Sequence, residues 1–355
     1  MSRHTSRANE EISLINRFMR DYRLNAAVSE RTSHVAGKAY IVLGITLGAG
    51  ARIGLIESRL RELAEVLSAY RGAPTPVRLR QMPLALEIPH PAPEPVTPGR
   101  VELPPHTMLC GQTYDFAGSV SHEIVALGST PHALIAGTTG SGKSVLLACM
   151  LWSLCMNTSP EDIGLVLVDL KNEDLLPFGA LPHVVRFVTS LPDAEDAIDW
   201  MHREKEARVQ VAGRRKRIVL VIDELAELAR LKVPMRQLAS ILAIGRSKAI
   251  NVIAATQKPL GAVVGSVAKA NFTTRLVGRV MSPDDARVAA GVSGTGAECL
   301  PGRGSFLRVE GMELRRFQSY WLPDLDAHMP AIIDRWTQQL PIRREWIVAP
   351  TEVQS

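Results

Sequence analysis

Residues 137–144 read Gly-Thr-Thr-Gly-Ser-Gly-Lys-Ser and satisfy the spacing GxxxxGK[ST]. Glycines in such a stretch let backbone N–H groups converge on phosphate oxygens, and the following helix adds the partial positive charge of its N-terminus. Gly137, Thr138, Thr139, Gly140, Ser141, Gly142, Lys143, Ser144 and Val145 are therefore the expected nucleotide-binding residues. Lys143 is expected to reach the β- and γ-phosphates and Ser144 to coordinate Mg²⁺. The stretch follows an apolar run, "HALIAG", and opens a helical one, "SVLLACMLWSLCM", which is the context the motif requires. ATP and Mg²⁺ are the expected ligands.

A second group of polar residues ends the run "VLVIDE". Asp223 at a strand's carboxyl end can hold the metal's water shell, and Glu224 is placed to polarise an attacking water. The second acid argues for hydrolysis; a switch GTPase would carry an NKxD motif, and the sequence has none. The strand "INVIAATQ" closes on Thr256 and Gln257, at the edge where ligands of open α/β sheets bind. Gln257 is the candidate sensor of the γ-phosphate or the water. Arg246 and Arg275 are candidates for an arginine finger reaching a neighbouring subunit, with Arg279 and Arg287 as further options. The basic run Arg214–Arg217 reads as a solvated loop at the amino edge of the sheet, and "LPGRGSFLRVEG" as a turn between strands.

The elements that must position these residues follow from hydrophobic periodicity. "HALIAG", "IGLVLVDL", "RIVLVIDE" and "INVIAATQ" are Val- and Ile-rich runs, as strands buried on both faces of a parallel sheet should be. Helical stretches lie between them, so residues 106–326 are expected to be an α/β domain with a parallel sheet. Earlier, "EEISLINRFMRDYRL" and "SRLRELAEVLSAY" carry apolar residues at helical spacing around the strand-like "AYIVLGITLG", which predicts a smaller α+β domain over 1–82. Residues 83–105 hold eight prolines and are expected to be an extended linker rather than a helix or central strand. Residues 327–355 are expected to be a tail.

The 355 residues and 46% apolar content suit two globular domains. The net charge of +5 is uneven, because residues 1–82 hold 13 Arg or Lys against 7 Asp or Glu. Four cysteines at positions 110, 149, 155 and 299 show no metal-ligand or paired spacing and read as reduced structural thiols. "YIVLGITLGAGARIGLI" is too short, and too rich in glycine, to span a bilayer. No signal peptide is legible in "MSRHTSRANEEIS". A cytoplasmic protein without an integral membrane segment is expected.

The stretches "PHALIAGTTGSGKSV", "LVDLKNEDL", "IVLVIDELAEL", "GRSKAINVIAATQKP", "AKANFTTRLVGRVMSPDDARVAAG" and "AECLPGRGSFL" together resemble the motor portion of the FtsK/SpoIIIE family of DNA translocases. They cover roughly residues 106–322 in the family's order, and "GITLGAGARIGLIESRLRELAEVLS" resembles, more weakly, the smaller domain that precedes that motor. The resemblance implies a RecA-like P-loop ATPase that assembles as a homo-hexameric ring around double-stranded DNA and hydrolyses ATP to move it. It carries Lys143, Ser144, Asp223, Glu224 and Gln257 over in the roles already given, and matches Asp169 and Lys171 to the family's DPK segment. It places the loops near 172–178 and 258–268 at the pore. Leu170, Lys258 and Ser305 depart from the family's pattern. A membrane-spanning N-terminal region and a C-terminal winged-helix domain are expected to be lacking, and membrane-bound or recombination proteins are candidate partners. The alternative from another class is a ring ATPase energising protein secretion or conjugative transfer.

Overall fold

A computed structural model describes residues 2–36, 39–81, 83–114, 119–208, 215–257, 271–311 and 313–339. Arg214, Lys258 with the loop 258–268, and residues 340–355 lie outside them.

The amphipathic N-terminal pattern folds as helix α1 (Ser2–Asp21), followed by strands β1 (Ala26–Ala36) and β2 (Tyr40–Leu47). Helices α2 (Ile53–Glu57) and α3 (Leu60–Arg71) come next, then strands β3 (Arg78–Gln81) and β4 (Leu84–Pro89). The four strands form an antiparallel sheet in the order β1-β2-β4-β3. Ile15, Met19, Leu63 and Leu67 press onto Leu43, Leu86 and Ile88 to form its core. Strand β4 corrects the linker expectation for residues 84–89, and it lies inside the sheet. Pro83 and Pro89 only bracket it, and the intervening Leu84–Ile88 keeps every N–H the ladder needs. The extended connector begins after β4.

The larger sheet has ten strands. Its antiparallel wing starts with β5 (Thr107–Tyr114) and β6 (Val120–Ala126). The parallel part comprises β7 (His132–Ala136), β8 (Ile163–Val168), β9 (Val184–Val188), β10 (Arg217–Ile222), β11 (Ile250–Thr256) and β12 (Thr274–Val277). Strands β13 (Ser305–Glu310) and β14 (Glu313–Ser319) return antiparallel, giving the order β6-β5-β14-β13-β12-β7-β11-β10-β8-β9. Alternate residues of the parallel strands feed two cores. Ile135, Leu165, Leu167, Val219, Val221 and Ile253 face one side, against helix α4 (Lys143–Asn157). Leu134, Val166, Val168, Leu220, Ile222 and Val252 face the other, against α5 (Leu191–Ala207), α6 (Leu225–Leu228) and α7 (Lys232–Ile244). Burial on both faces is why the strand sequences read as unbroken apolar runs.

After α8 (Pro283–Ala290), the last described element is α9 (Leu325–Gln339), which corrects the tail expectation for residues 327–339. Met329, Ile332 and Trp336 join the core beneath α4, and the Trp336 indole N–H donates to the Cys155 carbonyl at 2.7 Å. Burying side chains of this size stabilises by roughly 1.5–3 kcal/mol each. Pro330 inside the helix disguised it in the sequence. The four cysteines are free, and burial pushes the Cys149 thiol up to about 12.

A buried ionic cluster joins the two sheets. Glu87 of β4 accepts from Arg78 at 2.7 Å and from Arg316 of β14 at 2.9 Å. The Arg316 guanidinium also lies 3.8 Å from the ring centre of Tyr40, and Arg78 donates to the Thr295 carbonyl at 2.9 Å. Burial alone would raise the Glu87 pKa; the two arginines outweigh it and hold the carboxyl down at about 2.

Candidate active site

Strands β7, β8, β10 and β11 run parallel, so the segments that follow them converge on one edge of the sheet. The glycine-rich loop follows β7, Asp169 follows β8, Asp223 and Glu224 follow β10, and Gln257 follows β11. All of the expected site residues except the two arginines are thus brought together.

The loop's shape depends on its glycines. Gly140 and Gly142 have φ of 78° and 99°, in the left-handed region, and a Cβ on Gly142 would come within 2.6 Å of the Gly304 nitrogen. Neighbouring backbone holds the loop from outside. Thr138 N–H donates to the Arg279 carbonyl at 2.9 Å, Arg303 N–H to Gly140 O at 3.0 Å, and Gly304 N–H to Ser141 O at 2.8 Å. The "GRG" segment is therefore more than a turn into β13: it buttresses the phosphate loop. The two glycines flanking Arg303 were the signal, since both take positive φ to approach so closely.

Lys143 opens α4 and is buried, 6% exposed. Desolvation lowers its pKa, and the nearby Asp223 and Glu224 carboxylates oppose that fall. The Ser144 hydroxyl donates to Asp174 Oδ2 at 2.5 Å. Burial first, and then the adjacent Asp174 charge, push Asp223 up to about 7 against Lys143 and Lys171. Lys171 Nζ lies 3.5 Å from Glu224 Oε2 and 3.9 Å from Asp223 Oδ2. Glu224 accepts from the Thr256 hydroxyl at 2.9 Å and from the Gln257 N–H at 3.2 Å. The Gln257 side-chain carbonyl in turn accepts from the Thr139 hydroxyl at 3.3 Å, so one residue touches both the acid and the phosphate loop.

Asp174 was missed as a site residue by the sequence reading. It sits in "LKNEDL", a segment expected near a pore, yet Leu175 and Phe178 of that segment are fully buried. The buried Asp169 carboxylate accepts from the N–H groups of Glu173 and Leu175, at 3.0 and 2.9 Å, and so folds the turn that presents Asp174. Only the sheet's register puts that turn beside Ser144.

The donor set fits a divalent cation carried by a nucleotide. Ser144, Asp174 and Asp223 offer hard oxygens, and the buried Asp223 Oδ2 has no hydrogen-bond partner among the described residues. Among the described residues no cluster of three His, Cys, Asp or Glu forms a cage that would hold a metal unaided.

The arginines lie elsewhere. Arg246 is exposed in the turn before β11, at the amino edge of the sheet. Arg275 is buried, and its guanidinium donates to the carbonyls of Phe272 and Ala289 at 3.3 and 3.4 Å. A side chain so enclosed braces its own fold, which corrects the expectation that Arg275 reaches a neighbour.

Residues 114–217, which include the phosphate loop and the Asp169–Asp174 turn, match the model of the FtsK/SpoIIIE family. Similar proteins include the DNA translocase FtsK of Tropheryma whipplei, 27% identical over 91% of this chain and 48% of that protein. The DNA translocase SftA of Bacillus subtilis is 32% identical over 53% of this chain and 22% of that protein. Over residues 114–217 the chain is similar to the FtsK/SpoIIIE family. The chain spans less than half the length of those two relatives. Among solved structures, it resembles the pCW3 conjugation coupling protein TcpA, with a TM-score of 0.61 at 20% identity over 92% of this chain and 99% of that one. It also resembles the cytoplasmic domain of the type VII secretion ATPase EccC of Thermomonospora curvata, with a TM-score of 0.58 at 23% identity over 72% of this chain and 34% of that one. The fold is the one shared with those two structures, an α/β unit with a large, mostly parallel sheet, preceded by a smaller α+β unit. Among the described residues no helix is long and apolar enough to cross a membrane.

Proposed function

We propose that this chain is an ATP-driven motor that moves double-stranded DNA, acting as a ring-shaped oligomer, with residues 106–339 as the motor and 1–89 as a separate folding unit. The supporting observation is the meeting of a phosphate loop, a hydroxyl–carboxylate metal site and Glu224 at one sheet edge, in a chain whose similar proteins are named DNA translocases.

In this reading Lys143 and the loop N–H groups bind the β- and γ-phosphates, and Ser144, Asp223 and Asp174 hold the metal side. A Mg²⁺ ion held there would supply positive charge that offsets the charge on the phosphates. Glu224 takes the proton of the attacking water, and the Thr256 hydroxyl and Gln257 N–H keep its carboxylate aimed. Lys171 holds the paired acids while no phosphate is near. Gln257 relays the state of the γ-phosphate from Thr139 to Glu224. Arg246, exposed on the amino edge, and the exposed Arg279 and Arg287 are the arginines left as candidates to act on a neighbour's nucleotide.

ATP turnover of the purified protein with and without kilobase duplex DNA, at low and physiological salt, tests this. Strong stimulation that fades with salt is expected, because phosphate contacts release counterions. Turnover indifferent to DNA refutes it and favours the secretion or conjugative-transfer alternative, which shares this fold.

A further inference from the structure

A cavity of about 320 Å³ opens beside the phosphate loop, against Gly142 and Val145. Its far wall comes from the connector, with Pro93, Pro95 and Val96, and its sides from Pro301 and Trp321. This volume is at the lower end for small-molecule pockets, roughly 300–1,000 Å³. The connector that forms the wall is pinned at both ends of this span. His90 N–H donates to the Ala39 carbonyl at 3.0 Å, and Trp321 N–H donates to the Val96 carbonyl at 2.7 Å. Further on, Val101 and Leu103 sink into an apolar cluster with Leu109, Tyr320 and Leu322.

The direction of a bound nucleotide follows from the site's polarity. Lys143, Asp174, Asp223 and Glu224 gather at one end of the loop, which is where the terminal phosphate and the attacked bond must lie. The α-phosphate and the nucleoside therefore leave the loop at its other end. There the exposed Val145 and the backbone of Gly142 border the cavity. Its lining is largely apolar, with proline rings and an indole, which suits the flat face of a base and offers a sugar the polar rim of Gln318 and Ser319.

We infer that this cavity receives the nucleoside base of the bound nucleotide, and that the proline-rich connector is thereby a wall of the nucleotide site rather than a spacer. The inference rests on the reading of residues 137–145 as the ATP-binding loop. It also gives the N-terminal unit a direct hold on nucleotide affinity, because β4 runs straight into the connector.

Calorimetric binding of Mg²⁺–ATPγS and of Mg²⁺–tripolyphosphate to the full chain separates the two readings. The wild type should bind ATPγS at least about tenfold more tightly than tripolyphosphate, a factor of ten being 1.4 kcal/mol. Trp321→Ala, and independently Pro93→Trp, which fills the cavity from its connector wall, should each lose about tenfold for ATPγS. Both should keep tripolyphosphate binding within about twofold. Equal binding of the two ligands by the wild type overturns the base site, as do variants with unchanged ATPγS affinity or with equal loss of both ligands. Failure of the phosphate-loop reading shows separately, as tripolyphosphate binding that survives Lys143→Ala.

Discussion

Replacing Glu87 by Gln removes the one negative charge between two buried guanidinium groups. Arg78 and Arg316 are 3% and 8% exposed, so neither can turn to water without opening the contact between the sheets. The fall of the Glu87 carboxyl from 4.5 to about 2 corresponds to about 3 kcal/mol at about 1.36 kcal/mol per pH unit. Leaving both arginines uncompensated costs in the same range, about 3–5 kcal/mol for a broken buried pair. No tryptophan lies in residues 1–89, and Trp152, Trp200, Trp321 and Trp336 lie in the larger unit, so their fluorescence follows that unit while far-UV circular dichroism follows both parts. Urea titration of Glu87→Gln should pull the dichroism transition ahead of the fluorescence one, by about 1–2 M for a unit with a slope of 2–3 kcal/mol per M. The acid's pKa is depressed by folding, so its stabilisation is complete above about 4.5 and is lost as pH falls toward 2. The difference between wild type and variant should shrink over that window. Glu87→Gln combined with Arg316→Met should recover part of the loss, as apolar replacements of buried pairs do. Coincident transitions with unchanged midpoints at pH 7 would refute the assignment of Glu87 as the clamp between the sheets.

Glu224→Gln should bind ATPγS as the wild type does and turn over ATP about 10²–10⁴-fold more slowly in a single-turnover assay, the span of general-base effects; loss of binding instead would make Glu224 structural. In the nucleotide-free protein the raised Asp223 pKa, about 7, keeps a proton at the metal site below that pH. Mg²⁺–ATPγS affinity measured by calorimetry should therefore rise between pH 6 and 8. Asp174→Asn removes a neighbouring charge that raises it, and should flatten that profile while raising the Mg²⁺ concentration for half-maximal turnover. Mixing Arg246→Ala subunits into wild type should depress DNA-stimulated ATPase more than in proportion if Arg246 acts on a neighbour, and a linear decline would confine it to its own subunit.

The amino-acid sequence by itself determined the phosphate loop, the acid pair and the parallel sheet, because each is a local matter. Glycines at 140 and 142 are needed wherever φ is positive, a helix start after them binds phosphate, and strands buried on both faces must be apolar throughout. Strand β4 and helix α9 were hidden by prolines, whose effect depends on where in the element they fall: Pro89 closes a strand, and Pro330 sits in a helix held by Trp336 and Ile332. Tertiary structure alone decided what depends on register between distant segments. It set Asp174 against Ser144 across 30 residues, and laid the "GRG" turn on the phosphate loop. It also enclosed Arg275 and spent Glu87 on an arginine 229 positions away. A carboxylate or guanidinium carries the same charge in every context, and only the folded neighbourhood determines whether it meets water, a metal or a partner.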